Sequence, residues 1–95
     1  MRPLTHALPG ALRHLLRDLP LSDGKVGFAW GAAVGPAVAR ATTVKLENGA
    51  LIVETTSAQW TREIKRSSPV ILKRLQSLLG DETIERIEVR SIPIS

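Results

Sequence analysis

Cysteine is absent from these 95 residues, and with it a disulfide framework, a thiolate metal site and a cysteine nucleophile are excluded. Tyrosine is absent too, and aromatic residues make up 3% of the chain, namely Phe28, Trp30 and Trp60. A core must then come mainly from Leu, Ile, Val and Ala, which gives the two tryptophans unusual weight within it. The only histidines are His6 and His14, so no HExxH or Cys–His pattern exists, and neither a Gly-x-Ser-x-Gly elbow nor a Walker sequence is present. The carboxylates Glu47, Glu54, Glu63, Asp81, Glu82, Glu85 and Glu88 lie scattered among charged neighbours, as on solvated faces, with no pair set apart for acid and base work. The expectation is a nonenzymatic chain with no catalytic residue, no metal site, no cofactor and no small-molecule substrate. Long hydrophobic runs are missing as well. Residues 1–20 are leucine-rich but are broken by Arg13, Arg17, Pro3, Pro9 and Pro20, which suits neither a signal peptide nor a membrane span. A soluble cytoplasmic protein with no membrane partner is expected, folded as one domain over residues 1–95.

What the chain does contain is organised around VKLENGALIVETTSAQW, residues 44–60. Asn48-Gly49 supplies the two positive-φ positions of a type I′ turn, and alternating flanks make it a strong hairpin signal. A two-residue loop sets Glu47 opposite Ala50, Leu46 opposite Leu51, Lys45 opposite Ile52 and Val44 opposite Val53. Val44, Leu46, Leu51 and Val53 then share one face, and Lys45, Glu47 and Glu54 share a wet one. After Thr55 the pattern turns helical, with Thr56 or Ser57 placed to cap a helix whose first large apolar residue is Trp60.

Three helical patterns surround this hairpin. In the first, Leu8, Leu12, Leu15, Leu16 and Leu19 fall within an arc of about 100°, opposite Arg13, His14 and Arg17. Ser22 or Asp23 can cap the second, in which Val26, Trp30, Ala33 and Ala37 line one side, while Gly31, Gly35 and Pro36 weaken or kink it. Those glycines serve packing better than phosphate binding, since no strand precedes them and no Lys-Ser/Thr follows. The third runs from Ala58 to Leu79. Trp60, Ile64, Ile71, Leu75 and Leu78 lie within about 60° of one another on it. Because that apolar phase survives Pro69, one helix kinked near Ser67 and Ser68 is favoured, with a fresh start at Ser68 as the alternative. Gly80 ends the helix, and residues 84–90 read as a third strand with Ile87 and Val89 inward, able to pair with either earlier strand. The fold class is α+β, a three-stranded sheet with helices on one face in the order α-α-β-β-α-β.

The charge is +4 and the isoelectric point is near 10.4, a balance that suits a polyanionic partner without naming one. It is concentrated on the third helix, where Arg62, Lys65, Arg66, Lys73 and Arg74 face the single acid Glu63. Such a stripe is either a solvated helix face or a phosphate-contact surface. Arg13 and Arg17 on the first helix are the second candidates. Trp60 could stack on a base, but it shares the face of Ile64 and Leu78, and both tryptophans read better as core.

Trp30 with Val34-Gly35-Pro36, then Ala39-x-x-Thr42, Asn48-Gly49-x-Leu51-x-Val53, Ser57-x-x-Trp60 and Leu72-x-x-Leu75, resembles the DciA-like family of bacterial proteins over residues 12–89 or so. The resemblance implies a KH-like domain that binds DNA, single-stranded or duplex, and assists loading of the DnaB-type replicative helicase at replication initiation. DNA and the replicative helicase are thus the implied partners. The Gly-x-x-Gly clamp of true KH domains is missing, its nearest counterpart being Arg66-Ser67-Ser68-Pro69, so readout of four specific bases is not expected. The competing readings are an RNA-binding or ribosome-associated KH-like module and a plain protein-interaction domain.

Overall fold

The computed structural model describes residues 18–92. Within it α1 spans Asp23–Val34 and α2 Pro36–Arg40, followed by β1 (Thr43–Glu47), β2 (Ala50–Thr55), α3 (Ala58–Leu79) and β3 (Arg86–Ser91). The expected α+β order is therefore present. The leucine-patterned helix expected at residues 9–19 lies, except for its last two residues, outside the described ones, as do Arg13 and Arg17.

The hairpin has the register that its turn dictates, from Glu47 opposite Ala50 to Val44 opposite Val53. Asn48 and Gly49 take φ values of +49° and +80°, as a type I′ turn needs. A second demand falls on Gly49, where an added Cβ would lie 2.7 Å from the Glu85 carboxylate. The Gly49 carbonyl accepts from the Glu85 and Arg86 amides at 2.7 and 3.2 Å, so the turn also anchors the start of β3. That strand pairs with β2, in parallel, which gives the sheet order β1-β2-β3. Parallel pairing needs a crossover of a dozen or more residues, and the 22 residues of α3 supply it.

One sheet face carries the core. Leu51 and Val53 are fully buried, with Val44, Leu46, Ile87 and Val89 beside them and Val26, Ala29, Trp30, Ala33, Ile64, Ile71, Leu75 and Leu78 packed above. The other face is not simply wet, contrary to the expectation from the hairpin. Ala50 and Ile52 project to it and are 1% and 5% exposed. Ile52 sits between Lys45 on β1 and Glu88 on β3, and the stems of long charged side chains can cover an apolar neighbour on a central strand while their heads stay in water. Those heads pair along each edge strand, Lys45 with Glu47 and Glu88 with both Arg86 and Arg90.

The helix boundaries follow local chemistry. Ser22, and not Asp23, caps α1 by accepting from the Lys25 amide at 3.1 Å, and Ser57 caps α3 by accepting from the Trp60 amide at 3.1 Å. Gly35, at φ +88°, ends α1, and Pro36 opens α2 at its first position, where a missing N–H costs nothing. The expected kinked helix is thus two helices, and the change of direction leaves Ala37 exposed instead of in line with Ala33. Gly31 faces Ala39 across this junction, where an added Cβ would meet the Ala39 Cβ at 4.0 Å, an ordinary contact distance. Pro69, in contrast, interrupts nothing. α3 runs through it, because Pro69 lies on the exposed side where the Lys65 carbonyl can turn to water. The Ser68 hydroxyl, on the residue just before Pro69, donates to the Ile64 carbonyl at 2.8 Å. Strand β3 starts later than expected, at Arg86. Ile84 precedes it, fully buried, with its carbonyl accepting from Gln76 Nε2 at 3.1 Å.

Candidate nucleic-acid interface

The 22-residue amphipathic helix α3 positions the cations. At 100° per residue, Arg62, Arg66 and Lys73 fall within about 40° of one another, Lys65 about 60° to one side, and all lie across the helix from Ile64, Ile71 and Leu75. Arg62 and Lys73 are about 16 Å apart along the axis at 1.5 Å per residue. All four are exposed. Arg66 forms an ion pair with Glu63. Arg62, Lys65 and Lys73 have no carboxylate partner among the described residues.

Arg74 is placed differently from the other four. It lies about 100° round the helix from the stripe, and its Nη1 donates to the Ala33 carbonyl at 2.9 Å. Helix α1 has no basic residue in its last turn, so Arg74 supplies from α3 the positive charge that a helix C-terminus favours. The sequence held a signal for this separation, since a helical projection sets Arg74 apart from its four companions.

Charge is also sorted along the molecule. Because α3 returns antiparallel to β2, its first half with Arg62, Lys65 and Arg66 lies far from the Asn48-Gly49 turn. The acids gather at the turn itself. Glu47 precedes it, Glu85 packs beside Gly49, and Glu82 shares a depression of about 450 Å³ with Asn48 and Gly49. Lys45 and Arg86 stand at the same end of the sheet, so the acids there are partly offset.

Beside the cation stripe, between α3 and the α1–α2 junction, lies a groove of about 180 Å³ lined by Val34, Val38, Trp60, Glu63, Ser67 and Arg74 among others. Sequence reasoning missed the groove, having favoured a core role for Trp60 over base stacking. The indole packs against the core but is only partly buried. Trp30, by contrast, is 2% exposed, and its Nε1 donates to Thr42 Oγ1 at 2.9 Å. Among the described residues no group of three His, Asp or Glu side chains could hold a metal ion, and no helix is long and apolar enough to cross a membrane.

The family model described as "Dna[CI] antecedent, DciA" matches residues 3–89. The chain belongs to the DciA family. The family is associated with helicase loading in the initiation of DNA replication. No curated protein matches the chain. For this DciA member the match takes in the whole of α3 and the groove beside it, and it bears out the resemblance carried by Trp30, Asn48-Gly49 and Trp60.

Proposed function

We propose that this chain is a nonenzymatic DNA-binding accessory of bacterial replication initiation, acting in the cytoplasm, that assists loading of the DnaB-type replicative helicase. Its phosphate-contact surface is the solvent flank of α3. The observation that carries the reading is the row of Arg62, Lys65 and Lys73, exposed on one flank and free of carboxylate partners among the described residues. A cation already held by a carboxylate must give up that partner to bind a phosphate, whereas these three release only counterions from the nucleic acid. Arg66 sits among them and exchanges Glu63 for a phosphate at little cost, since an exposed ion pair is worth at most about 1 kcal/mol. Membership of the DciA family supports the replication context. Binding of this type tolerates any sequence, because phosphates position a protein and carry no base identity.

The test is the salt dependence of binding to single-stranded DNA of unrelated sequences. With four phosphates neutralised, log K falls with log salt at a slope of about −3, roughly fifty-fold between about 50 and 200 mM. The double variant Arg62→Glu, Arg66→Glu lowers affinity equally for all sequences and flattens the slope. Unchanged binding in that variant at every salt concentration would remove α3 as the surface and turn attention to Arg13 and Arg17. A strong preference for RNA would favour the RNA-binding reading. The helicase role is checked by co-purification with the host's replicative helicase with and without nuclease.

A further inference from the structure

We infer that the groove between α3 and the α1–α2 junction is a site for a single unstacked base of the DNA strand whose phosphates lie on the α3 stripe. The inference rests on the proposed function above and deepens it.

Size is the first argument. At about 180 Å³ the groove is smaller than the roughly 300 to 1,000 Å³ typical of sites that bury a whole cofactor or drug-sized ligand, and suits one planar ring system. Its walls are the second. Trp60 offers part of an indole face, Val34 and Val38 are aliphatic, and the polar groups are Glu63, Ser67 and Arg74. Arg74 spends one of its donors on the Ala33 carbonyl, and a guanidinium carries five, so others remain for a ring carbonyl. The Glu63 carboxylate accepts from Arg66 and has further lone pairs for an exocyclic amine.

Glu63 also decides what the groove does not take. A phosphate would meet its negative charge there, while the unpartnered cations lie on the adjoining flank. Charge therefore divides the two surfaces by chemistry: the anionic backbone on Arg62, Lys65 and Lys73, and an uncharged aromatic ring with donors and acceptors in the groove. The separation suits a nucleotide as well. About 100° of helix surface divides the stripe from Arg74, with the Glu63 side chain standing between the two. A base reaching sideways from its phosphate would cross that ridge.

Two oligodeoxycytidylates of equal length distinguish the groove from the stripe, one intact and one with abasic residues on an unbroken phosphate backbone. The expected result is that the intact strand binds about tenfold or more tighter, as one stacked base allows, with the same salt slope for both. Indole emission is quenched by the intact strand alone, Trp30 being sealed in the core and contributing a constant background. Ser67→Leu, at an exposed position on the groove's edge, fills the groove without touching the core and abolishes both the preference and the quenching. Equal affinities of the parent protein for the two strands, with no quenching, would overturn the base site and leave the phosphate surface standing. Failure of both strands to bind would overturn the two together.

Discussion

Trp30 and Trp60 lie on the two principal helices of the domain, and their surroundings differ in kind. The region of Trp30 is closed. Its ring is buried among α1, α2 and β1, its N–H is satisfied by Thr42, and that hydroxyl in turn donates to the Val38 carbonyl at 2.8 Å. Every polar atom there has a partner, and the arrangement ties the α1–α2 unit to the first strand. The region of Trp60 is open. This ring stands in the first turn of α3, on the residue whose amide donates to the Ser57 cap, and packs against the core with one side while the other lines the groove. The difference teaches that an aromatic residue in an apolar stripe is core only where a second element covers it. Among the described residues nothing comparable to α2 closes over the start of α3.

Five variants sharpen or break this comparison. The largest effect is expected from Trp30→Ala, a loss of about 3 to 5 kcal/mol in denaturant unfolding, against about 1 to 2 kcal/mol for Trp60→Ala, which removes a side chain already partly in water. Equal losses would mean that Trp60 is as enclosed as Trp30. Next, Thr42→Val leaves the Trp30 N–H buried without an acceptor and costs about 1 to 3 kcal/mol. A melting temperature that does not move would show that water reaches the indole. Smaller again is Arg74→Ala, about 0.5 to 1 kcal/mol, since its bond to Ala33 reaches a helix terminus from an exposed side chain; amide exchange in the last turn of α1 should quicken with it. The smallest is the charge reversal of Arg62 and Arg66, which should leave stability within about 0.5 kcal/mol while lowering DNA affinity. A loss of stability as large as that of Arg74→Ala would place these cations in the structural network rather than on a free surface.

Much of the fold was legible because its signals are local. The positive-φ demand at Asn48-Gly49 settles the turn, the two-residue loop then settles the register, and alternation settles which of Val44, Leu46, Leu51 and Val53 face inward. The phase of Trp60, Ile64, Ile71, Leu75 and Leu78 likewise carried one helix through Pro69. The misreadings have a common origin in neighbours distant along the chain. Ile52 looked exposed because its own strand alternates, and it is buried because Lys45 and Glu88 flank it across the sheet. Ala37 looked buried because a helical phase was extended through Gly35-Pro36, where the backbone changes direction. Arg74 was grouped with the stripe by its charge, whereas its partner is a carbonyl 41 residues earlier.

The sequence by itself determined the turn, the strand register, the apolar face of α3 and the cation row opposite it, and narrowed each helix cap to two neighbouring residues, since each depends on residues within a few positions of one another. Only the tertiary structure decided that β3 joins β2 in parallel, that Glu85 and Arg86 close upon Gly49, and that the α1–α2 break stands beside Trp60 to leave a groove instead of a sealed core. Those outcomes follow from which surfaces meet once α3 has crossed back over the sheet, and no local spacing encodes that meeting.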